Sequence, residues 1–192
     1  MTPNPVKKMT PEEYLAFERA SEEKHEYING IIVAMSGASR AHNLIAINVG
    51  SKIHQALNGK NCEAYPSEMR VFVPETGLYT YPDLSVVCGE PEFQDSGLDT
   101  LLNPVLLIEI LSDSTESYDR GLKFENYRSI KSLREYILVS QNRPSVEKYV
   151  MHGDGFWLLS SVKGLDAKIT LESIDCPLNL NEVYNKVKFE DE

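Results

Sequence analysis

Cysteine is scarce in this chain. Cys62, Cys88 and Cys176 are odd in number and far apart, and no Cys-x-x-Cys pair occurs in 192 residues. That argues against a structural zinc site or a disulfide framework and leaves buried or inert thiols. His25, His42, His54 and His152 are too scattered to suggest a zinc hydrolase. No apolar run approaches the roughly 18 residues needed to span a bilayer. The N-terminal stretch MTPNPVKKMTPEE lacks the apolar core of a signal peptide, so the expected compartment is the cytoplasm. A G-x-S-x-G elbow, a Walker phosphate loop, a dinucleotide glycine fingerprint and an H-E-x-x-H helix are all missing. There is no internal repeat or low-complexity segment.

Basic residues are missing from one long stretch. Between Arg70 and Arg120 there is no Lys or Arg, whereas Glu75, Asp83, Glu90, Glu92, Asp95, Asp99, Glu109, Asp113, Glu116 and Asp119 all fall there. Arg120, Lys123, Arg128, Lys131 and Arg134 follow, with only Glu125 among them. A net charge of −10 argues against a large basic surface for nonspecific nucleic-acid binding. The acidic cluster and basic helix suit a metal site beside an anion-binding surface. They suit equally a solvated loop followed by a solvated helix.

What is present is an ordinary globular composition, 42% apolar and 25% charged, in a length that fits a single domain over residues 1–192. Thr10-Pro11-Glu12-Glu13 opens a capped helix to about Ala20, with Tyr14, Leu15 and Phe17 on its buried face. His25 to Ile28, Asn29-Gly30 and Ile31 to Met35 read as a hairpin. Apolar spacing at Leu44, Ile45, Ile47, Val49 and Ile53 predicts a helix from about Ala41 to Leu57. Strands follow over Cys62 to Tyr65, Met69 to Val73 and Leu84 to Cys88, with Asp83 at a strand entrance after Pro82. Residues Gly89 to Asn103 form a polar loop, either a flap over a site or a plain surface loop. After a helix from about Glu116 to Ile130, strands are expected at Arg134 to Ser140, Ser145 to Met151, Phe156 to Val162 and Ile169 to Ser173. A terminal helix is expected over Leu180 to Val187. This order indicates an α/β or α+β domain with one mixed sheet flanked by helices.

The stretch Pro104 to Leu111, PVLLIEIL, reads as a buried inner strand, which makes its Glu109 expensive unless paired, hydrogen-bonded or bound to a cation. If Asp83 and Glu109 sit on neighbouring strands, their carboxylates converge and can hold a hard cation such as Mg²⁺. Lys123, one corner and one helical turn beyond Glu109, could then stabilise developing negative charge. Asp119, Lys123 and Tyr127 share a helix face by their spacing of four. The plainer readings remain open: a solvated strand-end glutamate, a turn aspartate and a surface lysine paired with Asp119.

The pattern Tyr81-Pro82-Asp83-Leu84-Ser85-Val86-Val87 followed by Pro104 to Ser112 resembles a large bacterial family of restriction-endonuclease-like proteins of unknown function, abundant in cyanobacteria. Four further stretches match that family. They are Glu26-Tyr27-Ile28-Asn29-Gly30, Ser39-Arg40-Ala41-His42, the D-x-x-x-K-x-x-x-Y helix from Asp119 to Tyr127, and Glu135-Tyr136-Ile137-Leu138-Val139. The resemblance covers about Thr10 to Val187. It implies a PD-(D/E)XK phosphodiesterase fold in which Asp83 and Glu109 bind Mg²⁺ (Mn²⁺ as a substitute), with Glu26 as an additional acid. The superfamily lysine would stand at position 111, which is Leu, so the resemblance assigns that role to Lys123. Where the family often has Asp-Gly-Glu at the hairpin, this chain has Asn29-Gly30-Ile31. His42 would orient a loop or line the cleft, Asp119 and Tyr127 would support Lys123, and Glu68 could face the same cleft. The expected function is a Mg²⁺-dependent endonuclease hydrolysing phosphodiester bonds in DNA, acting as a homodimer. The alternative is a non-catalytic nucleic-acid-binding or assembly module on a nuclease scaffold. RNA or branched DNA as substrate is not separable from duplex DNA by sequence.

Overall fold

The structure, a computed structural model, describes residues 8–189. The first seven residues of the stretch read for a targeting signal lie outside that range. Among the described residues no helix is long and apolar enough to cross a membrane.

The chain begins with α1 (Pro11–Glu18), closed by the predicted capping box: the Thr10 hydroxyl accepts from the Glu13 N–H, and the Glu13 carboxylate accepts from the Thr10 N–H. Asn29 and Gly30, both at positive φ, turn β1 (His25–Ile28) into β2 (Ile31–Ala34). Ser39 caps α2 (Arg40–Ala56) by accepting from the His42 N–H. Strands β3 (Cys62–Pro66), β4 (Arg70–Val73), β5 (Leu78–Thr80), β6 (Leu84–Cys88), β7 (Thr100–Leu101) and β8 (Leu106–Leu111) follow. The next helix has three parts, α3 (Glu116–Tyr118), a π turn over Asp119–Lys123 and α4 (Phe124–Tyr127). The rest is β9 (Glu135–Ser140), β10 (Ser145–Met151), β11 (Trp157–Lys163), β12 (Lys168–Leu171), β13 (Cys176–Asn179) and α5 (Leu180–Val183).

The strands form two sheets and a ribbon, not the one mixed sheet expected. A six-stranded sheet runs β11-β10-β9-β8-β6-β3, parallel only at β8–β9. A five-stranded sheet runs β2-β1-β5-β4-β7, and β12 pairs with β13. The chain changes sheet between β5 and β6 at Pro82, which has no N–H to give to a ladder. Strand β8 is buried along its whole length. Leu106, Ile108 and Ile110 enter a core under α2 and the β12–β13 ribbon. Leu107 and Leu111 enter a second core with Val71, Leu78, Tyr127 and Tyr136, between the two sheets and the 116–127 helix. Tyr14, Tyr27 and Tyr79 form a third cluster beyond the five-stranded sheet.

Several local expectations change. Cys62 and Cys88 are disulfide-bonded. Their separation in sequence hid the pairing, but the antiparallel β3–β6 register sets them directly opposite, where side chains share a face. Cys176 is the buried free thiol. Phe17 and Ile47 are exposed, because the buried stripes of α1 and α2 run through Tyr14 and Leu15, and through Ile45, Val49 and Ile53. The 89–103 segment is no flap: Thr100–Leu101 pairs with β4, and Arg19 binds Asp95 and Asp99. The last helix ends at Val183, four residues early.

Candidate active site

The β6–β8 register pairs Leu84 with Ile108 and so sets Asp83 opposite Glu109. Alternation then sends both side chains to the face shared with Leu107, Leu111 and Val87. The Ile110 N–H donates to Asp83 Oδ2 at 2.7 Å, and His42 Nε2 lies 3.2 Å from the same oxygen. Asp83 is held from behind as well. Tyr81 donates to Glu18 Oε1 at 2.8 Å and accepts from Arg70 Nη1 at 2.9 Å, while Arg70 Nη2 lies 2.9 Å from Asp99 Oδ2. This buried network fixes one end of Tyr81-Pro82-Asp83.

Glu109 does not lean out into solvent. It is 4% exposed, and its Oε1 accepts from the Tyr127 hydroxyl at 2.8 Å and faces Lys123 Nζ at 2.9 Å. The ammonium also lies 3.2 Å from Glu26 Oε1 and 3.4 Å from Asp119 Oδ1. Asp119 Oδ1 accepts no hydrogen bond, so Lys123 is its only close counter-charge among the described residues. Glu26 arrives from β1 and also accepts from Thr80 at the end of β5. Elements distant in sequence thus bring Glu26, Asp83, Glu109, Asp119, Lys123 and Tyr127 together, with His42 at the rim. Tyr127 bonds Glu109 and not Lys123, so its support goes to the acid. Glu68 stays out: it is exposed and paired with Lys24.

Three carboxylates, Glu109, Glu26 and Asp119, surround one ammonium, with Asp83 beyond them against His42. Burial pushes the Glu109 carboxyl well above the usual range; Asp119 and Asp83 add to that and Lys123 opposes it. Burial also raises Asp119, against Lys123. Burial disfavours the charge of Lys123, but Glu109, Tyr127, Glu26 and Asp119 together hold its pKa well above that of an ordinary lysine. Lys123 is thereby favoured as the ammonium, while burial works against the charge of Glu109 and Asp119.

The donor chemistry fits a hard divalent cation. Asp83 and Glu109 are carboxylates on neighbouring strands whose close contacts fall on Oδ2 and Oε1. Mg²⁺ commonly takes one or two carboxylates and keeps waters. The Nδ1 of His42 is buried without a hydrogen-bond partner among the described residues. Among those residues no three His, Cys, Asp or Glu side chains are grouped to hold a metal, since Glu26 and Asp119 turn to Lys123.

Sequence reasoning missed Thr80, Tyr118 and the Arg70–Tyr81–Glu18 network. Thr80 lies on β5, a strand of three residues too short to give a periodic signal. Tyr118, whose ring centroid is 5.8 Å from Lys123 Nζ, lies just before the π turn.

Comparison with known proteins gives three likenesses. The family model "Uma2: Putative restriction endonuclease" matches residues 11–180. Two uncharacterized proteins of Synechocystis sp. (strain ATCC 27184 / PCC 6803 / Kazusa) are similar over most of their length. Slr1290 is 36% identical over 185 residues, 96% of each chain, and sll1609 is 37% identical over 164 residues, 85% of this chain and 93% of that one. A crystal structure described as a "putative nuclease belonging to DUF820" from Anabaena variabilis ATCC 29413 superposes with a TM-score of 0.78 at 19% identity, over 94% of this chain and 99% of that one. At that identity the likeness is one of fold.

Proposed function

The chain belongs to the Uma2 family and has a restriction-endonuclease-like fold, and from that premise we propose that it is a Mg²⁺-dependent endonuclease hydrolysing phosphodiester bonds in DNA. The observation that carries the proposal is the meeting of Glu109 with Lys123, Glu26 and Asp119, with Asp83 opposite on the neighbouring strand. Asp83 and Glu109 would hold the cation, and Mn²⁺ could replace Mg²⁺. Such an ion, when bound, polarises a phosphoryl oxygen and generates a nucleophile from water at neutral pH. Lys123, kept as an ammonium, stabilises negative charge on the transferring group. Glu26 and Asp119 fix its position, Tyr127 orients Glu109, and His42 and the Ile110 N–H hold Asp83. The test is nicking of supercoiled plasmid in Mg²⁺ or Mn²⁺ by wild type and Glu109→Ala. Activity should vanish in the variant, and equal cleavage by both would sink the assignment.

One observation favours a second reading, a non-catalytic nucleic-acid-binding or assembly module. Lys123 already neutralises Glu109, Glu26 and Asp119 internally, and no three-ligand set is assembled among the described residues. The two readings separate in a thermal-shift titration. The nuclease reading expects Mn²⁺ to raise the melting temperature of wild type and not of Asp83→Ala. The module reading expects no shift in either.

A further inference from the structure

The candidate site has one wall that is apolar and open. In the β1–β2 register Glu26 lies opposite Val33, and Ile28 lies opposite Ile31. Directly opposed residues share a face. Val33 and Ile31 therefore stand on the face from which Glu26 reaches Lys123, one strand further out. Tyr27 and Ile32 take the other face, against the tyrosine cluster beside α1. Val33 is 53% exposed and Ile31 50% exposed, on the edge strand of the sheet. Beside Lys123 lies the half-buried ring of Tyr118. Burial raises its phenol to a high pKa and Glu26 adds to that, which places the ring within the field of Glu26. Among the described residues its hydroxyl has no hydrogen-bond partner.

Such a rim offers little to phosphate alone, because the single ammonium of Lys123 is already set against Glu26, Glu109 and Asp119, and His42 against Asp83. A closed duplex presents its phosphates and groove edges outward, with its bases stacked inside. An unstacked base presents a flat apolar face, which aromatic and aliphatic side chains accept whatever its sequence.

We infer that the site takes a nucleotide whose base is already out of its stack, as in a single strand, a frayed end or a branch point. Tyr118 stacks on that base, and Val33 and Ile31 cover the strand beside it. This rests on the nuclease reading for the choice of nucleic acid as ligand, but it is read out by binding.

The experiment titrates the protein into a short single-stranded oligonucleotide containing 2-aminopurine and into the matching blunt duplex, following anisotropy and 2-aminopurine emission. The single strand should bind roughly tenfold more tightly than the duplex and change its emission on binding. Tyr118→Ala should weaken single-strand binding by roughly 5- to 150-fold, the range of one base–aromatic stack. Tyr118→Phe, which keeps the ring, should retain most of that binding. Val33→Ser supplies a second, milder probe in case Tyr118→Ala folds poorly, and Leu159→Ala on the far edge of the other sheet should change nothing. Equal affinity for both oligonucleotides, or unchanged binding by a folded Tyr118→Ala, would overturn the inference.

Cleavage of the same oligonucleotides in Mn²⁺ separates the two claims. A protein that binds the single strand through Tyr118 but cuts nothing upholds the inference while the nuclease reading fails. One that cuts duplex equally well, with or without Tyr118, does the reverse. Neither binding nor cutting removes both.

Discussion

Replacing Lys123 with methionine keeps most of the side-chain volume and deletes its charge. In the wild type that charge is shared by Glu109 at 2.9 Å, Glu26 at 3.2 Å and Asp119 at 3.4 Å. Lys123 is 5% exposed, Glu109 4% and Asp119 2%, so solvent does not screen the pairing as it would at a surface. Deleting one partner of a buried pair costs about 3–5 kcal/mol, because the other charge stays buried. At roughly 2–4 °C per kcal/mol for a chain of this size, the melting temperature should fall by about 6–20 °C. The assay is thermal and urea unfolding in chelator, at low and high salt, within a double-mutant cycle with Glu109→Gln. The cycle should show a coupling of about 1 kcal/mol or more. Salt should change that coupling little, since buried pairs are weakly screened. A melting temperature within about 2 °C of wild type, or an additive cycle, would mean that the cluster does not depend on the ammonium as its counter-charge.

Two further outcomes follow from groups outside the site. Asp99 is held below the usual carboxylate range, chiefly by its hydrogen bonds from Arg19, with Thr100 and Arg70 adding to the effect and burial opposing it. A carboxyl whose folded pKa is depressed contributes stability above its unfolded pKa of about 3.9 and loses it as pH falls below that; Asp99→Asn should therefore flatten the acid limb of the stability–pH curve, and an unchanged limb would count against the Arg19–Asp99 clamp. The Cys62–Cys88 disulfide closes a loop with a sequence separation of 26, worth about 3–4 kcal/mol in the chain-entropy account. Denatured, unreduced protein should titrate one thiol, Cys176, and reductant or Cys62→Ser should lower the melting temperature; three thiols without reductant would refute the pairing.

How far the sequence could be read depended on whether the deciding contact was local. Thr10-Pro11-Glu12-Glu13 and Asn29-Gly30 are local: each closes its own hydrogen bonds or turn within a few residues, and both formed as expected. The β8 strand was legible because both its faces are buried, which leaves a nearly unbroken apolar run around Glu109. The division into two sheets was not legible. It turns on β5 and β7, strands of three and two residues, and on the long-range pairings of β5 with β1 and of β7 with β4. The disulfide was hidden for the same reason, since only the β3–β6 register sets Cys62 against Cys88. The partners of Lys123 were half legible. Asp119 is four residues away on the same helix, but Glu26 reaches it from the other sheet.

The π turn at Asp119–Lys123 explains why a helix can supply this lysine at all. Position 111 is Leu, buried in the core with Tyr127 and Leu107, so the strand itself offers no ammonium beside Glu109. In a regular α-helix of 3.6 residues per turn, a residue four places on overshoots by about 40°, so Asp119 and Tyr127 would diverge by about 80° across the two steps. A turn closed by i→i+5 bonds holds more residues, so four places in it fall short of the α-helical advance. The π step from Asp119 to Lys123 thus offsets the α step from Lys123 to Tyr127. All three side chains can then face β8, where Asp119 and Lys123 meet and Tyr127 reaches Glu109. Gly121, with no atom near its missing Cβ, sits in the widened turn and adds its low helix propensity there. The local irregularity that weakens the helix is what aligns Asp119, Lys123 and Tyr127 on one face.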